Sequence, residues 1–157
     1  MGKIIIKFCR KSYSNDQDIR NLFAYIAGKG KNSEKETAVT GSKGLSRDCY
    51  KAAEQVITAQ RSLKKNKGRR ILHIVISFNY RWDPLGVESY AEKAANYIFK
   101  EYPLYYGIHR STEHVHIHIA VNRVSYLTNK KMHLNIEELK DYRKGIRTAM
   151  IGKIKKR

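Results

Sequence analysis

Four of the six histidines fall within ten positions: His109, His114, His116 and His118. From Val115 onward the residues alternate, with Val115, Ile117, Ile119 and Val121 apolar and His116, His118, Ala120 and Asn122 between them. A period of two predicts a strand with one face in a core and polar groups on the other. Residues two apart share a face at roughly 6.5–7 Å, so His116 and His118 can turn toward one ion from a rigid support. His109 ends the preceding apolar run and supplies a third ligand if its strand pairs next door. A lone His-x-His is weak on its own; the extra histidine at matching spacing favours a metal. Three neutral imidazoles with coordination positions left open describe a catalytic rather than a structural site. On softness grounds they suit Zn²⁺ or Mn²⁺ better than Mg²⁺.

The elements that must position these side chains come from a chain of 157 residues, enough for one domain with its own core. Residues 1–150 read as that domain and 151–157 as a basic, frayed tail. Thirty-two Lys and Arg against fourteen Asp and Glu give a net charge of +18, spread along the chain. Such a balance favours a polyanionic partner, nucleic acid before anionic membrane. Cys9 and Cys49 imply no disulfide framework and fit a reducing compartment. No segment approaches the ~18–20 apolar residues of a membrane span, and no signal-peptide pattern opens the chain. The expectation is a soluble cytoplasmic protein with no membrane insertion.

Lys3 to Phe8 predicts a strand. Ser14-Asn15-Asp16 offers N-caps for a helix reaching about Ala27, with Ile19, Leu22, Phe23 and Ile26 at core spacing. Tyr25 falls about 120° from the middle of that stripe, off the core face. Gly28 ends the helix, and 29–47 reads as a mobile polar excursion. A second helix spans about 48–63. It leads into Lys64-Lys65-Asn66-Lys67-Gly68-Arg69-Arg70, the densest basic run, suited to clamping phosphates. Ile71 to Phe78 predicts a strand with His73, Val75 and Ser77 on its less apolar face. A helix at 87–100, a strand at 103–108, a short returning strand at 129–134 and a helix from Ile136 to about Met150 complete the order. Tyr105 and Tyr106, beside the histidines, are candidates for stacking on bases. Hairpin-scale links predict an α+β fold: a mainly antiparallel central sheet with helices packed on one face, the other free for a ligand.

These residues together resemble the relaxase/mobilisation nuclease domain of plasmid and integrative-element transfer proteins, in the HUH endonuclease superfamily. The family pattern of a His, an acidic residue two on, histidines at plus five, seven and nine, then Asn-Arg-Val, is met by His109, Ser111, His114, His116, His118 and Asn122-Arg123-Val124. Its His–hydrophobic–Ser-Phe strand matches His73-Ile74-Val75-Ile76-Ser77-Phe78, and its tyrosine helix is similar to Ala24-Tyr25-Ile26. The resemblance runs from about Lys3 to Arg147 and implies an HUH endonuclease-like fold. It implies strand-specific nicking of single-stranded DNA at a transfer origin, with Tyr25 as nucleophile and a 5′-phosphotyrosine product. It also implies Mg²⁺ or Mn²⁺ on His109, His116 and His118; Mn²⁺ satisfies both this and the softness argument, with Zn²⁺ as a third choice. His114, His73, Glu113 and Asn122 are candidates to orient a ligand or act as base. Lys29, Lys31, Lys64, Lys65, Lys67, Arg69, Arg70 and Arg123 are the candidate DNA contacts, and accessory relaxosome proteins in the bacterial cytoplasm the expected partners. Ser111 departs from the family Asp, and Glu113 stands near enough in sequence to compensate. Two other readings compete. Replication initiators and small transposases place their tyrosine on a helix after the histidines, where Tyr142 sits. A non-catalytic single-stranded nucleic-acid-binding module would keep the charge and need no metal.

Overall fold

The computed structural model describes residues 4–29, 39–78, 84–111 and 114–152. Five strands, β1 (Ile4–Phe8), β2 (Val39–Lys43), β3 (Ile71–Phe78), β4 (Leu104–Ser111) and β5 (His114–Asn122), form one sheet in the order β1-β3-β5-β4-β2. Every neighbouring pair is antiparallel. Four helices, α1 (Asp16–Ile26), α2 (Cys49–Ser62), α3 (Pro84–Ile98) and α4 (Ile136–Ile151), complete the α+β fold.

The period-two patterns place β3 and β5 at the centre. Ile74, Ile76, Ile117, Ile119 and Val121 are fully buried on one face, against α3 and α4 through Val87, Ala91, Ala94, Ile146 and Met150. Burying each large aliphatic side chain contributes about 1.5–3 kcal/mol, which fixes the register that turns the histidines to the other side. Helices were expected on this face alone. The structure differs, because α1 and α2 cover part of the opposite face. There the polar face itself becomes apolar: Ala120, Tyr105 and Ile71 pack beneath Ile19, Phe23, Ala53 and Val56.

The helix ends follow local chemistry. Asn15 caps α1 by accepting from the Asp18 amide at 2.8 Å, Asp48 caps α2, and Asn135 with Glu138 forms a capping box on α4. At the other end of α1 the Gly28 amide donates to Tyr25 O and the Lys29 amide to Ala24 O, with Gly28 at φ +77°. This is a Schellman motif, and it stops the helix at Ile26, one residue past Tyr25.

Within the predicted excursion 29–47 the structure contains an edge strand, β2, paired with β4. The expected strand at 129–134 is reduced to one bridge, Val124 to Lys131. Of the predicted tail, residues 153–157 lie outside the described residues.

Candidate active site

The site lies on the polar face of β3, β4 and β5, at the end of the sheet that α1 and α2 leave open. Antiparallel register sets His109 directly opposite His116, and Gly107 opposite His118. The hairpin thus brings the ring of His109 to 4.5 Å from that of His118, centroid to centroid, with His116 6.2 Å from His118. His114 is exposed at the rim, 6.3 Å from His116. Tyr25 comes from the last turn of α1 and is 43 % exposed. Its ring makes edge contacts with both His109, at 5.0 Å, and His118, at 5.2 Å.

Why α1 ends here is legible in two groups. The Schellman turn leaves the Ile26 carbonyl without a helical partner, and His109 Nε2 lies 3.0 Å from it. A carbonyl only accepts, so His109 carries its proton on Nε2 and keeps the Nδ1 lone pair. Gly107 permits the close approach, since a Cβ there would sit 2.0 Å from Ile26 O.

Behind His118 runs a buried chain of hydrogen bonds. His118 Nδ1 is 3.0 Å from His73 Nε2, and His73 Nδ1 is 2.8 Å from the Tyr13 hydroxyl. The tautomer in which His118 Nδ1–H donates to His73 Nε2 and His73 Nδ1–H donates to Tyr13 Oη is the one that leaves His118 Nε2 a lone pair for a cation. His73, with both nitrogens engaged, is suited to orienting His118 rather than to exchanging protons. Tyr13 holds its place in a left-handed conformation, φ +52°, which a bulky residue adopts only where surrounding structure imposes it.

Burial keeps these rings neutral. It depresses His118 to about 3 and His73 to about 4, with the charge of His109 adding to both, and lowers His116, where His114 and His109 also contribute. Against an unfolded value near 6.5, the folded protein binds fewer protons below that pH. Metal-free stability is therefore expected to be level above about pH 6.5 and to fall as the pH drops toward 4. Thermal unfolding between pH 8 and 4 checks this; a flat melting temperature from 7 to 5 would contradict it.

Among the described residues, no three His, Cys, Asp or Glu side chains have their donor atoms already drawn together as metal ligands. The donor chemistry fits a divalent cation all the same. His109 Nδ1 and His118 Nε2 have no hydrogen-bond partner among the described residues, and His116 is hydrogen-bonded to none of them through its ring. All three share one face.

Several predicted site residues lie elsewhere. Asn122 accepts from Gln60 Nε2 at 2.8 Å and from the Val124 amide at 3.0 Å; four residues beyond His118, roughly 13 Å along the strand, it serves the fold. Arg70 is 1 % exposed and bound to Asp16 and Gln60, so it is not a free DNA contact. Arg123 is also buried. Lys64, Lys65, Lys67 and Arg69 are exposed, but at the far end of the sheet. Lys29 is exposed beside the α1 terminus, its ammonium 5.4 Å over the Tyr50 ring. Lys31 and Glu113 lie outside the described residues, and Ser111 closes β4 opposite His114. Tyr105 and Tyr106 are buried, hydrogen-bonded to Arg47 O and to Glu92, and offer no stacking surface. Tyr142 lies across the sheet, packed with Phe8 and Tyr97 on the α3–α4 side; burial pushes its hydroxyl far above the ordinary tyrosine range. The reading that used Tyr142 is corrected on that ground. Tyr13, Gly107 and the Ile26 carbonyl were missed. Only Gly107 had a signal, a glycine inside an otherwise bulky strand.

An antiparallel sheet presenting a His-x-His strand, a neighbouring histidine and a helix-borne tyrosine defines an HUH-like nuclease fold. A solved structure from work on the molecular basis of vancomycin resistance transfer in Staphylococcus aureus matches it with a TM-score of 0.61. At 17 % identity, the match covers 96 % of this chain and 90 % of that one. The family model for the MobA/VirD2-like relaxase nuclease domain matches residues 25–150, and the chain belongs to that family. No curated protein matches it. No helix among the described residues is long and apolar enough to cross a membrane.

Proposed function

We propose that this relaxase domain is a metal-dependent, strand-specific nuclease that nicks single-stranded DNA at a transfer origin. The attack would form a bond from Tyr25 Oη to phosphorus and break the bond to the 3′ oxygen. The products are a 5′-phosphotyrosine and a 3′-hydroxyl; the phenol loses its proton and the leaving 3′ oxygen takes one up, so none is released overall. The observation that carries this reading is the edge contact of Tyr25 with His109 and His118.

The chain's own groups prepare the reaction. The Schellman turn and the bond from His109 to Ile26 O hold the nucleophile against the histidines. A phenol with its pKa near 10 attacks poorly until positioned and deprotonated, so placement is most of what the protein contributes. When bound at His109, His116 and His118, a divalent cation, Mn²⁺ by softness, would supply neutralisation of the charge on the non-bridging phosphate oxygens. The Lys29 ammonium and the net charge of +18 draw in the strand. Phenolate is a good leaving group, so the phosphotyrosine can be resealed. The setting we infer is the bacterial cytoplasm, with accessory transfer proteins as partners.

The test is a denaturing gel of labelled single-stranded oligonucleotides from the native element, with Mn²⁺ or with chelator. A Mn²⁺-dependent covalent adduct on one strand is expected. Tight binding with no cleavage under any metal would leave a binding module.

The Tyr13–His73 pair should matter through His118. Tyr13→Phe is expected to weaken Mn²⁺ binding by about 10–100-fold, the usual cost of losing a group that orients a ligand. It should also mix the His118 tautomers in ¹⁵N spectra of the metal-free protein. A single Nδ1–H tautomer with unchanged affinity would refute the role.

A further inference from the structure

At the end of the sheet away from Tyr25, three segments meet: the loop after α2, the residues following β5, and the strand-like return at Lys131. Arg123 is pinned there by its backbone, its amide donating to Arg70 O at 3.3 Å and its carbonyl accepting from the Met132 amide at 2.7 Å. The residue is 6 % exposed, and its Nε is buried with no hydrogen-bond partner. No carboxylate pairs with it among the described residues.

Its neighbour Arg70 shows how this protein pairs a buried guanidinium. Arg70 Nη1 donates to Asp16 at 2.7 Å and Nε to Gln60 at 2.8 Å, leaving one nitrogen, Nη2, unpartnered. Arg123 has no such arrangement, and its surroundings add cations. The charge of Arg69 acts on Arg123, and those of Arg123, Arg70 and Lys65 act on Lys131; burial first, and then these like charges, push both Arg123 and Lys131 below their ordinary values. Lys131 is held at the spot, donating to the Lys67 carbonyl. The nearby acids are committed elsewhere, Asp16 to Arg70 and Arg61, and Glu101 to Tyr102. A buried unpaired charge is costly, and converging cations make it more so, unless an anion completes the set.

We propose that Arg123, Arg69 and Lys131 form a phosphate site that holds a backbone phosphodiester of bound DNA. The planar guanidinium fork and an adjacent ammonium match phosphate oxygens. Arg123 lies just past the end of β5, five residues beyond His118 and roughly 16–17 Å away at the strand rise. The contact is therefore to a segment other than the scissile phosphate, and it anchors the DNA without reading sequence. The identity of the ligand rests on the relaxase reading; the need for an anion does not.

The experiment uses the full chain carrying Tyr25→Phe, which binds without forming adduct. Affinity for a single-stranded oligonucleotide is measured against salt, with Arg69→Ala and Lys131→Ala added singly. Each is expected to weaken binding about 5–10-fold and to reduce the log–log salt slope by about 0.7. In the same parent protein the Arg123 Nε–Hε resonance should shift on adding oligonucleotide. Arg123→Met should raise the melting temperature of the DNA-free protein while weakening DNA binding, since it removes an unpaired buried charge and keeps the stem. Unchanged affinity and slope in both surface variants, on DNA that binds, overturn the site. So does a resonance that responds only to inorganic phosphate, which would mark an adventitious ion only. A parent protein that binds no DNA would instead refute the relaxase reading, and the phosphodiester assignment with it.

Discussion

Tyr25→Phe is expected to fold and bind single-stranded DNA normally while forming no covalent adduct. Removing a nucleophile with its positioning groups intact costs orders of magnitude, and a fall in cleavage of at least about 1,000-fold is expected. The stability change should stay within about 0.5 kcal/mol, because the ring is 43 % exposed and its hydroxyl bonds to no described group. Tyr142→Phe is the informative contrast. That hydroxyl is buried with no hydrogen-bond partner, so deleting it removes a desolvated polar group and should leave stability unchanged or slightly higher. Cleavage should be unaffected. Single-turnover assays with Mn²⁺ and thermal melts separate the two variants; a Tyr25→Phe protein that still forms adduct would refute the assignment.

Gly107→Ala should be nearly as damaging, though residue 107 has no side chain to offer the reaction. An added Cβ would meet Ile26 O at 2.0 Å and Ile26 C at 3.0 Å. Both are backbone atoms, so the end of α1 must lift. Lifting it breaks the bond between His109 and Ile26 O and carries Tyr25 off the histidines. Misplacement of about 1 Å can cost about 100-fold in rate, and overpacking of this kind costs about 1–3 kcal/mol. Gly145 is the control. Its added Cβ would meet the Tyr97 hydroxyl at 1.9 Å, the far end of a side chain on the α3–α4 side. Gly145→Ala should lower the melting temperature and leave the Mn²⁺-saturated cleavage rate in place. If Gly107→Ala cleaves at the wild-type rate, the α1 docking does not position the nucleophile.

How much of this was legible in the sequence varies with the physics behind each element. The alternation in Val115–Asn122 gave β5 and its histidine face, and pairing of β4 beside it brought in His109 as expected. Tyr25 was legible because helical geometry takes it off a stripe whose other members are buried. β2 was not, since Val39-Thr40-Gly41-Ser42-Lys43 is an edge strand with no apolar alternation to announce it. Nor was the docking of α1 and α2 over the polar face, which depends on Ala120 being small and Tyr105 amphipathic. Arg70 and Arg123 read as surface cations by residue type. Arg70 is buried with Asp16, 54 positions away, and Arg123 is held by backbone bonds to Arg70 and Met132, none of which a local pattern reveals. Tyr13, one of eleven tyrosines, carried no distinguishing spacing at all.

The central claim, that Tyr25 is the nucleophile, is tested most directly by locating the covalent bond. Wild-type protein is trapped with a single-stranded oligonucleotide and Mn²⁺, digested with protease and nuclease, and analysed by tandem mass spectrometry. The account predicts a 5′-linked nucleotide on the peptide Asn21–Lys29, with fragment ions placing it on Tyr25. A nucleotide on Tyr142, Tyr13 or any other residue would contradict it.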